Sequence, residues 1–184
     1  MKPAEFLEPY RWILFDLDGV LTAERSYWNC AALAVYEMLC SRQFFGEDTL
    51  DLDWMHREAA SISSRLFLQD KTITLLKNLG VNSNWDLAYL LLAGLAAWKN
   101  PEAAYEYYEK KKLPAPEIYQ DAQQLLERVF PQEDCERQGL LYRRLQTLFD
   151  EWYYGTELFQ KVGRTPLDGM RKGVMEQETP LHSL

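Results

Sequence analysis

Residues 12–22 read Trp12-Ile13-Leu14-Phe15-Asp16-Leu17-Asp18-Gly19-Val20-Leu21-Thr22, and the rest of the chain takes its meaning from them. A short apolar run rich in Ile, Leu and Phe is closed by Asp-Gly, a pattern that predicts a buried strand of the kind found in parallel sheets. Side chains alternate along a strand, so Asp16 and Asp18 return to the same side while Leu17 points away. Gly19 lets the backbone turn sharply at the strand's C-terminal end, where open α/β sheets bind their ligands. Two carboxylates around one point repel each other unless a cation lies between them. An oxygen-only donor set of this kind suits Mg²⁺. The backbone N–H groups of Leu17, Asp18 and Gly19 add a cradle for an anion such as phosphate.

The pattern of apolar strand, Asp-x-Asp-Gly-Val and Leu resembles the first signature of the haloacid dehalogenase superfamily. By residue frequencies alone it would arise in on the order of 1 in 10⁵ chains of this size, which argues against an incidental Asp-Gly hairpin. The resemblance implies that Asp16 is the nucleophile, forming an aspartyl-phosphate, and that Asp18 is the acid/base. The Asp16 carboxylate and the Asp18 carbonyl would be ligands to Mg²⁺. True dehalogenases of that family lack an aspartate at the second position, so Asp18 points to P–O chemistry in a phosphatase, with a phosphomutase as a further reading.

Beyond the motif the character of the chain changes. Ser26–Ser41, Leu50–Phe67, Lys71–Leu79, Trp85–Trp98, Glu102–Lys112, a segment from Pro116 to Phe130, and Glu133–Tyr154 carry helical signals. Gly80 is placed to end one helix, Asn100-Pro101 to cap the next, and Gly155 to end the last. No second run looks like a buried strand. Past Lys161 the glycines and prolines predict extended chain.

The fold expected is therefore mostly α. It comprises the first strand of a Rossmann-like α/β core (residues 1–24), a large helical cap (25–162) and an extended return segment (163–184). The family's later signatures are a Ser/Thr after a strand, a charge-neutralising Lys and an acidic pair after a strand. None of the three is found, so the core sheet is incomplete in these 184 residues. The chain then reads as the N-terminal part of a longer enzyme, with little activity by itself. It would associate with a C-terminal core or with further copies of itself. A reading from another class, a non-catalytic helical interaction module, rests on the same unpartnered strand.

Arg25 and Tyr27 follow the motif at the cap entrance, and the resemblance makes them weak candidates for touching substrate. His56 reads as a surface or half-buried imidazole. Tyr105, Tyr107 and Tyr108, like Trp152, Tyr153 and Tyr154, read as packing residues of amphipathic helices. The net charge of -8 disfavours nucleic acid as a partner. The longest apolar stretch, around Leu87–Trp98, is too short for a membrane span. Cys30, Cys40 and Cys135 are scattered and odd in number, the pattern of reduced core thiols in a cytoplasmic protein. A cap that closes over its site favours a small phosphorylated metabolite as substrate.

Overall fold

The computed structural model describes residues 24–177, and the strand and loop expected at residues 12–22 lie outside them. Over the described residues the protein is mostly helical. The helices are α1 (Glu24–Cys40), α2 (Leu52–Arg57), α3 (Ala59–Leu66), α4 (Lys71–Asn78), α5 (Asn84–Trp98), α6 (Pro101–Lys111), α7 (Glu117–Val129), α8 (Leu140–Tyr154) and α9 (Thr156–Lys161). A 3₁₀ turn, Val174–Gln177, follows. Among the described residues there is no strand, only an isolated bridge between Ser41 and Asp48.

Local chemistry accounts for the boundaries. The side chains of Asp51, Ser83 and Asn100 each accept the backbone N–H three residues on, satisfying donors that a helix start leaves free. Pro101 follows its cap at a position where a missing N–H costs nothing. Gly80, at φ +92°, turns the chain out of α4.

Two expected boundaries move. The stretch Leu50–Phe67 is two helices, because the backbone at Glu58 (φ -95°, ψ 12°) leaves the helical geometry between α2 and α3. The expected helix from Glu133 begins only at Leu140. Asp134 accepts the N–H groups of Glu136 and Leu140, and Gln138 takes a left-handed φ of 70°, so residues 133–139 fold as a loop instead.

The core is organised on two helices. Helix α5 is buried around its whole circumference from Asp86 to Ala96, as its nearly uninterrupted apolar sequence requires. Helix α1 packs against α3, α5 and α8, and α5 packs in turn against α6 and α7. Buried polar groups are tied in by specific bonds. Asp86 receives Nε and Nη2 of Arg137 at 2.9 and 2.7 Å and the Tyr142 hydroxyl at 2.8 Å. The Tyr108 hydroxyl donates to the Leu90 carbonyl, joining α6 to α5.

The segment after α9 is extended, as its composition predicts, yet it is anchored. Arg171 is fully buried between Glu37 of α1 and Glu151 of α8. Its Nε donates to Glu37 Oε2 at 3.0 Å and its Nη1 to Glu151 Oε1 at 3.0 Å, while Nη2 bonds Glu37 Oε1. Two carboxylates against one guanidinium would leave an excess negative charge. Three neutral donors share it: Trp152 Nε1 on Glu37, and the Thr156 hydroxyl and Leu167 N–H on Glu151. Here the backbones cross so closely that a Cβ on Gly173 would lie 2.6 Å from the Tyr154 carbonyl oxygen.

Candidate functional site

Of the residues singled out in the sequence, Asp16, Leu17, Asp18 and Gly19 lie outside the described region. The described chain starts one residue beyond that segment's neighbour Ala23, with the first turn of α1, which carries Arg25 and Tyr27.

Arg25 is exposed and donates through both Nη atoms to the Asp70 carboxylate, at 2.8 Å each. Its guanidinium also lies 5.0 Å from the Trp28 ring centroid, on the ring that Lys77 Nζ approaches at 5.2 Å. Lys77 itself donates to both oxygens of Glu24, at 2.8 and 2.9 Å. The first turn of α1 is thereby fastened to α4 and the turn before it by two ion pairs around one indole. Asp70 ends a run of three non-glycine residues, Leu68, Gln69 and Asp70, all with left-handed backbone (φ 52°, 54° and 70°). Each such residue costs on the order of 1–2 kcal/mol, so the turn persists only where its surroundings hold it. The bidentate pair to Arg25 is one of those constraints.

Tyr27 is half-buried and stacks on Tyr153 of α8, with ring centroids 5.1 Å apart and planes at 26°. Tyr153 in turn meets Tyr154 edge-on. The two weak candidates thus occupy different sides of the same turn, Arg25 toward α4 and Tyr27 toward the end of α8.

Two carboxylates at i and i+2, as at Asp16 and Asp18, are the hard oxygen donors that Mg²⁺ takes. Among the described residues no group of three or more His, Cys, Asp or Glu side chains is arranged to hold a metal.

His56 is half-buried, with its Nε2 3.3 Å from the Gly173 carbonyl oxygen. Tyr108 and Trp152 are core residues, and the Tyr105 and Tyr107 hydroxyls donate to Glu109 and Asp121. None of the three cysteines is in a disulfide. Burial pushes the Cys135 thiol up to about 11.

The buried group formed by Glu37, Glu151 and Arg171 was not anticipated. The signal for it is thin but present: Glu37 interrupts the apolar run from Ala31 to Leu39, and Glu151 lies between Phe149 and Trp152. An acid inside an apolar run, on a face that helical spacing buries, needs a cationic partner.

No family model matches the chain, and no curated protein matches it. An X-ray structure determined as a Northeast Structural Genomics Consortium target is similar, with a TM-score of 0.67 and 23% identity over 91% of this chain. The chain spans 55% of the length of that solved chain. At this identity the likeness is one of fold alone, and the mostly helical class is that of the described residues themselves. No helix among the described residues is long and apolar enough to cross a membrane.

Proposed function

We propose that the chain carries the catalytic-aspartate segment and helical cap of a Mg²⁺-dependent phosphatase of the haloacid dehalogenase type, acting in the cytoplasm on a small phosphorylated metabolite. The observation that carries this reading is the segment Trp12–Thr22, with its paired aspartates and its glycine. The arrangement of the described residues is consistent with it: a helical body starts at Glu24, directly after that segment, as a cap inserted behind the first core strand would.

In this reading the Asp16 carboxylate attacks phosphorus and the bond to the leaving oxygen breaks, with Asp18 giving that oxygen its proton. Asp18 then takes a proton from water, which attacks the same phosphorus and releases Asp16 with inorganic phosphate. The Asp16 carboxylate and Asp18 carbonyl would hold Mg²⁺, whose role is to offset the negative charge brought together there. The backbone N–H groups of Leu17, Asp18 and Gly19 would receive the phosphoryl oxygens. Arg25 and Tyr27 stand nearest in sequence to that loop, where a substrate's distal groups would fall.

The test is hydrolysis of an aryl phosphate with Mg²⁺ by the chain and by Asp16→Asn, with intact mass recorded. Turnover lost in Asp16→Asn supports the chemistry; turnover that survives it overturns the reading. The expected result for the chain alone is a rate near background, because it supplies no recognisable phosphate-binding Ser/Thr, Lys or second acidic pair. Mg²⁺ titration then decides, and an affinity unchanged by Asp16→Asn sinks the proposal.

A second reading, a helical interaction module, draws on a hollow of about 620 Å³ whose lining includes Leu158 and Met170, 38% and 64% exposed. It predicts self-association that Met170→Glu weakens.

A further inference from the structure

At the end of α1 remote from Glu24, the C-terminal ends of four helices surround one cavity: α1 at Leu39 and Cys40, α3 at Leu66, α5 at Leu95 and Ala96, and α7 at Val129. Its volume is about 450 Å³, in the range of pockets that enclose a small molecule. Tyr36, Leu39, Phe45, Leu95 and Phe130 make the walls, and the Phe45 and Phe130 rings stack 4.0 Å apart. The surroundings are dry enough that loss of solvent is the first cause raising the Cys40 thiol.

Among the described residues one charged residue lines this cavity. Lys99 is exposed and follows α5 in a left-handed conformation (φ 52°); its backbone N–H donates to the Leu95 carbonyl, while its ammonium makes no ion pair or hydrogen bond among the described residues. No carboxylate among the described residues lines the cavity. An apolar hollow with a single unpaired ammonium at its edge is complementary to a molecule with an apolar body and an anionic head. The form of the opening favours a small molecule over a protein. Among the large apolar residues of the lining only Val129 is exposed, at 39%, whereas a stable protein interface needs about 800 Å² per partner.

We propose that this cavity is a binding site for a small amphiphilic carboxylate, with the alkyl chain among Tyr36, Phe45, Leu95 and Phe130 and the carboxylate on Lys99. Along α1 the cavity lies at the opposite end from Glu24, about 24 Å away. The proposal is independent of the phosphatase reading and survives or fails without it.

The experiment is calorimetric titration of the 184-residue chain with octanoate, octanol and octylamine, each below its aggregation limit. It is repeated on Lys99→Glu and Val129→Trp, both at exposed positions, with melting curves recorded without ligand to show that each variant folds. The expected result is one octanoate per chain, bound more tightly than octylamine. Lys99→Glu should weaken octanoate about fivefold or more and favour octylamine, and Val129→Trp should block both. Three results would overturn the proposal. They are no binding of octanoate, octanoate binding unaffected by either variant, and a chain that dimerises without ligand with this face covered.

Discussion

Arg171 and Glu37 are 134 positions apart in sequence, yet their side chains meet fully buried, with Arg171 Nε donating to Glu37 Oε2 at 3.0 Å. Their pairing makes the segment after α9 part of the helical body rather than a loose tail.

Removing one member of a buried charge group leaves the others uncompensated, which costs about 3–5 kcal/mol. Arg171→Met should therefore lower stability by that amount in urea unfolding at pH 7. Adding Glu37→Gln and Glu151→Gln to Arg171→Met should recover a substantial part of the loss. A triple variant less stable than Arg171→Met would show that the carboxylates are held by the neutral donors alone.

The turn at 68–70 stores backbone strain that glycine would not feel. Gln69→Gly should stabilise the protein by up to about 1 kcal/mol, since relief of φ 54° outweighs the added freedom of the unfolded chain. The exposed Arg25–Asp70 pair is worth far less than the buried group. Asp70→Asn should cost no more than about 1 kcal/mol, and the cost should shrink in high salt.

Cys135 gives the stability curve an alkaline edge. Burial raises its thiol from the ordinary value of 9.0 to about 11, with neighbouring Glu127, Glu133 and Asp134 adding to the effect. Below pH 9.0 the proton is bound in both folded and unfolded chains. Between 9.0 and about 11 only the folded chain keeps it, so stability must fall as pH rises through that window. Cys135→Ala should flatten the fall, as read from melting temperatures across that range.

Asn100→Ala removes the cap of α6 and should cost about 1 kcal/mol, with Asn100→Gly costing less. No loss in either variant would mean that Pro101 alone sets the start of the helix.

Much of the helical plan was legible because its signals are local. Asn100-Pro101, Gly80 and Gly155 each sit where backbone chemistry demands them, and the apolar composition of α5 announces its burial. The loop at 133–139 was not legible, since its left-handed residue is Gln138 rather than a glycine and its cap is Asp134, six residues before Leu140. The group around Arg171 was hidden for another reason. Its three members come from α1, α8 and the return segment, and no window of sequence contains them together. The same holds for Lys99 and the cavity beside it, which only the packing of α1, α3, α5 and α7 brings about. The candidate catalytic pair, Asp16 and Asp18, rests on its spacing in the sequence and falls outside the described region.

The central place of α1 has a bearing on synthesis. Among the nine helices of the described residues a ribosome makes this one first, while its packing partners α3, α5 and α8 arrive in that order and the guanidinium that neutralises Glu37 arrives after all of them. At about 5–20 residues per second, Glu37 of the nascent α1 must wait several seconds for Arg171, while the apolar face of the helix is covered only step by step as α3, α5 and α8 emerge. Protection of that exposed helix by a chaperone, or its tolerance of the delay, is thus a condition on producing this protein in a cell, and slow codons between α5 and α8 would lengthen the exposure.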